Sequence, residues 1–316
     1  MPTLQAAPLR HVPPPREPEN LKGLILMSLG FFSFAACDVQ AKYLTEYFHA
    51  VEVVWFRQIG LFLGVAALIA IKGPGLLRSH LPGIQIARGL CAVVSSICFV
   101  VAVSFVPLAD AVAVSFMAPF FVTLMSAVFL REPVGPRRWA AVTVGFVGML
   151  IVIRPGLGVI NPAILLVVLA ASFFALRQVL SRSLSGADPV VTTVAYTSIT
   201  ATLILSVALP MYWQTPESLK LWLVVLGLTS TAALGEVLVI RALDIAQAVV
   251  VAPMHYSLII WSTFYGFVVF GDLPDQWTFL GCAIIVASGL YTLHRERLNA
   301  RAEREARKAA AIPEVA

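Results

Sequence analysis

Charge is what this chain has least of. Only 12% of its 316 residues are charged, against 59% hydrophobic, where a soluble domain carries roughly 25% charged and about 45–50% apolar residues. So few charges cannot clothe a water-facing surface of this length. An ordinary soluble globular protein and a disordered chain are both excluded. Cysteine is scarce as well. Cys37, Cys91, Cys98 and Cys282 all lie in apolar stretches, form no CxxC and have no histidine at metal-ligand spacing. They read as small packing residues, which excludes a disulfide scaffold. Histidine is sparse and scattered: His11, His49, His80, His255 and His294, of which only His255 lies deep in an apolar run. There is no HExxH, no DDxxD, no readable Ser/His/Asp set and no GxxxxGK[ST]. The expectation is no catalytic residue, no cofactor, no metal and no ATP-driven pumping by this chain alone. An integral-membrane enzyme acting on lipids or isoprenoids lacks the clustered carboxylates or histidines that its chemistry uses.

Long apolar runs are what the sequence does have. A helix needs about 20 mostly apolar residues to cross a hydrocarbon core roughly 30 Å thick. Ten such runs are readable, at about 22–43, 51–71, 84–104, 109–130, 137–153, 160–181, 190–209, 219–241, 246–270 and 276–294. The breaks carry turn chemistry: Gly73-Pro74-Gly75, Glu132-Pro133, Arg154-Pro155-Gly156, Asp188-Pro189, Thr215-Pro216 and Leu273-Pro274. The runs are too long and too continuously apolar for barrel strands, so they are helices. The fold class is all-α integral membrane, with ten transmembrane helices.

Residues 1–20 form a proline-rich tail, expected to be disordered and cytoplasmic. No apolar segment with a cleavage site precedes the first span, which then serves as an uncleaved insertion signal. Residues 295–316 form a basic tail. With the N-terminus placed inside, most of the 22 lysines and arginines fall at the cytoplasmic face. Both termini are then cytoplasmic, and the net charge of +5 needs no nucleic acid to explain it.

The halves resemble each other. Ser33-Phe34 through Asp38 lies on Ser172-Phe173 through Arg177, and Ala109-Asp110-Ala111-Val112 on Ala246-Gln247-Ala248-Val249. Arg131-Glu132-Pro133 matches Gly271-Asp272-Leu273-Pro274, and Trp139 and Trp277 open the last span of each half. Five spans per repeat is odd, so residues 21–155 and 160–294 are expected to be two inverted five-helix repeats. That architecture marks secondary transporters, with substrate held near the midplane.

Pieces in order strengthen the reading: Asp38-Val39-Gln40-Ala41-Lys42-Tyr43-Leu44, Glu52 to Arg57, Arg88-Gly89, Val114-Ser115-Phe116, Pro119 and Arg138-Trp139. Gly145-Phe146-Val147-Gly148, Asn161-Pro162, Tyr212-Trp213-Gln214-Thr215-Pro216, Phe270 to Asp275 and Ser288-Gly289-Leu290-Tyr291 follow. On these the chain resembles the drug/metabolite transporter superfamily, with two EamA-type repeats, in the branch of S-adenosylmethionine uptake transporters. The resemblance implies alternating access in a bacterial inner membrane, with a small organic metabolite as cargo: S-adenosylmethionine-like, riboflavin or an amino acid. Membrane lipid is the surrounding partner and protons are the candidate coupling ion. Nothing in the residues sets an oligomeric state. A lipid-linked substrate flippase is the alternative on the same scaffold, and an integral-membrane lipid enzyme is a more distant one.

Ionisable groups inside spans are costly and usually face a cavity or a partner. Asp38 and Arg57 share a depth in the outer half and are expected to pair. Arg177 and Glu236 are expected to form the matching pair in the inner half, with Arg88 and Arg241 as interfacial anchors. Pro119 and Pro253 sit within the fourth and ninth spans, where each frees a backbone carbonyl. Ser115, Phe116 and Met117 precede the first. His255, Tyr256, Trp261 and Tyr265 follow the second. The substrate-binding or gating set is therefore Asp38, Arg57, Ser115, Pro119, Arg177, Glu236, His255, Tyr256 and Trp261, with His255 as a proton carrier.

Overall fold

The structure is a computed structural model and describes residues 19–129, 135–153, 161–184, 187–246 and 248–310. The N-terminal proline-rich segment up to residue 18, the turns at Glu132-Pro133 and Arg154-Pro155-Gly156, Gln247 and residues 311–316 lie outside the described residues. Among those described there are helices and turns but no strand. This is what an apolar chain does in lipid, where each backbone N–H and C=O must be satisfied within its own segment.

The helices are α1 (Asn20–Leu44), α2 (Ala50–Lys72), α3 (Pro82–Val103), α4 (Leu108–Ser115), α5 (Ala118–Phe129) and α6 (Pro136–Ile153). The second half follows with α7 (Ile164–Ser183), α8 (Val190–Ala208), α9 (Leu219–Ile245), α10 (Ala248–Val251), α11 (Ser257–Phe270) and α12 (Gln276–Ala310). They make up the ten spans read from the sequence, with the fourth divided into α4 and α5 and the ninth into α10 and α11. Seven spans among the described residues are long and apolar enough to cross a membrane, and Trp139–Ile153 and Gln276–Tyr291 are shorter apolar helices. The final helix outruns its apolar stretch and continues to Ala310.

Packing follows an exchange of the two halves. α1 packs chiefly on α9, and α3 on α7; the exchange turns one contact into the other. The α1–α11 contact becomes α7–α5 in the same way, while α2–α8 and α6–α12 map onto themselves. Lipid supplies no hydrophobic force between helices, so close approach and polar bonds must hold them. Trp55 Nε1 donates to Ser206 Oγ at 2.9 Å, Ser95 Oγ to the Ala170 carbonyl at 2.8 Å and Thr229 Oγ1 to the Phe56 carbonyl at 2.9 Å. At the α6–α12 crossing two glycines face each other. A Cβ on Gly148 would stand 3.0 Å from the Gly281 carbonyl oxygen, and one on Gly281 2.6 Å from that of Gly148. Large apolar side chains such as Leu63, Ile71, Val207, Leu226 and Ile260 point outward, as a lipid-facing surface requires.

Each half has a loop that grips the first turn of a helix in the other half. The segment before α9 lies on α2: His49 stacks on Tyr212 at 3.9 Å, Trp213 packs edge-on to Trp55 and Phe56, and the Gln214 N–H donates to Glu52 Oε2 at 3.2 Å. The segment before α3 lies on α8: Thr192 Oγ1 donates to the Leu76 carbonyl and Tyr196 Oη to that of Leu77. Asp188 anchors this second grip. It accepts from Ser79 Oγ at 2.5 Å, from the His80 N–H at 2.9 Å and from Gln85 Nε2 at 2.9 Å.

These donors hold the Asp188 carboxyl far below the ordinary carboxylate range, Ser79 contributing most. A carboxylate depressed in the folded state stabilises above its unfolded pKa of about 3.9 and loses that contribution as pH falls toward its folded value. Protection from hydrogen exchange over residues 76–85, taken relative to the intrinsic amide rate at each pH, should therefore be high at neutral pH and fall on acidification below about pH 4. Asp188→Asn should exchange fast at every pH; a variant that exchanges as slowly as the wild type would remove Asp188 from this role.

Candidate functional site

The two interruptions determine where the site lies. α4 ends at Ser115, the chain turns through Phe116 and Met117, and α5 restarts at Ala118. Pro119 is thus in the first turn of a new helix, where its missing N–H costs nothing, rather than kinking a continuous one. In the other half a 3₁₀ segment over Ala252–Tyr256, with Pro253 in its first turn, links α10 to α11. The breaks face each other: Phe116 stacks on Tyr256 at 5.2 Å and meets His255 edge-on at 5.3 Å. Irregular backbone at membrane depth is tolerated where protein or a cavity surrounds it.

An aromatic wall surrounds this junction. His255 lies between Phe116 and Phe31 of α1, the latter at 4.7 Å, yet its surface is accessible. Tyr256 is half-buried, with its hydroxyl against Gly289 of α12, where any side chain would collide with it. Phe32 packs edge-on to Trp261 at 5.1 Å and lies 5.3 Å from Tyr265. Trp261 Nε1 is buried without a hydrogen-bond partner among the described residues.

Charge sits beside the wall. Asp38 and Arg57 pair as their depth predicted, with Arg57 Nη1 2.9 Å from Asp38 Oδ1; the Asp38 side chain is 8% exposed and that of Arg57 22%. Among the described residues Arg177 and Glu236 do not form the expected ion pair.

Arg88 is no interfacial anchor. It is buried, donating Nε to Ser181 Oγ at 2.7 Å and Nη1 to Thr197 Oγ1 at 3.0 Å. Ser115 spends its hydroxyl on its own helix, donating to the Val112 carbonyl at 2.7 Å. Pro119 is exposed. Arg241 is exposed, near the end of α9. Sequence reading missed Phe31 and Phe32, although Phe31 stands seven residues before Asp38, two turns along the same face of α1.

One end of the bundle is tied shut near this site. Lys42 Nζ donates to Asp272 Oδ2 at 3.1 Å and to the Val106 carbonyl at 3.3 Å, and lies over the Phe270 ring. Thr278 Oγ1 donates to Asp110 Oδ1 at 2.9 Å. Three segments distant in sequence are pinned there by groups that a rearrangement of the halves would have to release. Among the described residues no cluster of three or more His, Cys, Asp or Glu could hold a metal.

Comparison with known proteins places this architecture. The model of the EamA-like transporter family matches residues 21–154 and again 161–293. The S-adenosylmethionine uptake transporter of Rickettsia bellii is 29% identical over 275 residues, covering 87% of this chain and 94% of the relative. The riboflavin transporter of Vibrio cholerae is 31% identical over 290 residues, covering 90% and 97%. A solved crystal structure superposes with a TM-score of 0.55 at 18% identity, over 88% of this chain and 96% of the other; that likeness concerns the fold.

Proposed function

This chain belongs to the EamA-like transporter family, and from that premise we propose that it carries an S-adenosylmethionine-like metabolite by alternating access across a bacterial inner membrane. It is a multi-pass small-molecule transporter and not an enzyme. The meeting of the two interrupted spans carries the finer reading. Phe116 from one break contacts His255 and Tyr256 from the other, so both halves contribute to one wall, as carriers with a midplane site between repeats are built. An organic ring finds stacking surfaces there, and Asp38 and Arg57 offer both signs of charge.

In the mechanism, substrate enters between the aromatic wall and the charges while one end is closed. The Lys42–Asp272 and Thr278–Asp110 ties release as the halves rock, and equivalent contacts form at the opposite end. The break residues let α5 and α11 swing relative to α4 and α10 without disrupting a continuous helical ladder. His255, exposed and flanked by Phe31 and Phe116, is the candidate for a coupled proton. Both termini face the cytoplasm in this reading.

Counterflow in proteoliposomes tests it. Excess unlabelled S-adenosylmethionine is trapped inside and entry of labelled trace compound is followed, with empty liposomes as control. Transient accumulation is expected. Its absence, with the protein folded and riboflavin or an amino-acid pool accumulating instead, would remove S-adenosylmethionine and keep the carrier. Repeating the assay under an imposed pH gradient with His255→Gln should abolish any gradient response; a response that persists frees His255 from proton carriage.

A further inference from the structure

The exchange of halves that organises the packing fails in one place. Among the described residues α6 packs on α5, but α12 and α11, which the exchange puts in their positions, barely touch. A groove of about 530 Å³ opens between them instead. Ile260 and Thr263 line it from α11, and Phe279, Ala283, Val286 and Leu290 from α12. Apart from the Thr263 hydroxyl and the Cys282 thiol, the lining is hydrocarbon. Ile260, Phe279, Ala283 and Leu290 are exposed, so the groove opens on the lipid-facing surface.

From Phe279 to Leu290 is about 16 Å at the helical rise, roughly half the hydrocarbon thickness and so the reach of an acyl chain from one leaflet. The apolar part of α12 ends at Tyr291, directly after the last lining residue, while the helix continues to Ala310. The lining positions recur at helical spacing on one face. Beyond Tyr291 the same register is taken up by His294, Arg297 and Arg301, then by Arg304 and Lys308. All five stand within about 40° of Leu290 around the helix axis, at about 100° per residue. Glu296 and Glu303 fall on the far side, and Glu305 at the edge of the stripe. His294, Arg297 and Arg301 lie about 5–15 Å beyond Tyr291 along the helix, at and just above a headgroup layer roughly 5–8 Å deep.

We propose that the groove and the basic face of α12 form one site for an anionic phospholipid. An acyl chain fills the space between α11 and α12 and supplies the contact that α5 and α6 make directly. The phosphate lies at the level of Arg297 and Arg301. Within the membrane, hydrocarbon meets these walls without leaving a polar group unsatisfied, and a lipid anion draws juxtamembrane arginines. A zwitterionic lipid would fill the groove but bring its own cation to them. A second copy, turned about an axis along the membrane normal, would set its basic stripe against this one, and like charges oppose that pairing. The site does not depend on the identity of the cargo.

Delipidated full-length protein in detergent tests this, titrated with phosphatidylglycerol and phosphatidylcholine of identical chains and read by native mass spectrometry and thermal shift. Phosphatidylglycerol should bind about 10- to 30-fold more tightly, the effect of two arginines at a headgroup, and should raise the melting temperature more. Arg297→Gln with Arg301→Gln should reduce that preference to within about threefold. Arg295→Gln with Arg307→Gln removes equal charge from other faces of the helix and should keep the preference. Ala283→Trp with Ala287→Trp fills the groove and should weaken both lipids; Ala283→Leu serves if that variant does not fold. The arginine variants lie beyond the apolar stretch and stay informative in either case. Equal binding of the two lipids by the wild type, or equal losses from the two arginine pairs, would overturn the proposal. So would undiminished binding when the groove is filled, displacement of the lipid by glycerol phosphate, or a dimer that filling the groove abolishes.

Discussion

Asp38→Asn is expected to destabilise the folded protein by about 3–5 kcal/mol, the cost of stranding a buried cation without its counter-ion. The Arg57 guanidinium has its carboxylate 2.9 Å away and little solvent to replace it, with only 22% of the side chain exposed. Asparagine keeps the shape and loses the charge, so the effect isolates electrostatics from packing. The double variant Asp38→Asn with Arg57→Met should recover most of the loss, because two neutral side chains owe nothing to desolvation. Thermal unfolding in detergent, read by intrinsic fluorescence and by size-exclusion recovery, gives all three values. A single variant as stable as the wild type, or a double variant no better than the single, would show that the pair does not bear on stability. Transport by the double variant asks a different question: if it folds and still counterflows, the pair holds helices and touches no substrate.

Gly281→Leu is the second large effect. The carbonyl oxygen of Gly148 already lies 2.6 Å from where its Cβ would be, and the backbone cannot yield as a side chain can. Overpacking a closed core typically costs about 1–3 kcal/mol and more where backbone must move. Here α6 and α12 would have to separate along their whole crossing. Loss of the monodisperse protein peak in mild detergent, with no counterflow, is the expected outcome. Gly64→Leu is the control: nothing stands within 4 Å of its Cβ position, so that variant should purify and transport normally. If both behave alike, close approach at α6–α12 is not what the glycine provides.

The spans were legible because lipid imposes a simple rule on composition, and little besides a membrane crossing calls for continuous apolar runs of that length. The Asp38–Arg57 pair was legible for a related reason: two opposite charges at one depth in adjacent spans have few alternatives to each other. Pro119 and Pro253 marked the interrupted spans correctly, but not their form. A proline does not say whether a helix bends or stops, and here both stop and restart. The Arg177–Glu236 relation was misread because depth along a helix does not fix its rotation, and rotation decides whether side chains touch. Arg88 was misread for the opposite reason. Its partners Ser181, Thr193 and Thr197 come from α7 and α8 and are ordinary hydroxyls and a carbonyl, invisible as a motif. Phe31 and Phe32 were overlooked among 19 phenylalanines, where aromatic residues in a lipid-facing sequence carry no distinguishing signal of their own.

The last helix has a geometric consequence. α12 runs without a break for 35 residues, a rod of about 52 Å at the helical rise, against a hydrocarbon core of about 30 Å. Its inner part is locked to α6 through the Gly148–Gly281 contact, so it shares whatever tilt that pair undergoes. A rod anchored at one end magnifies angle into distance: a few degrees of tilt within the membrane becomes a displacement of ångströms at Ala310. A spin label or fluorophore placed there would report any such tilt as a length, read from outside the lipid and without touching the site.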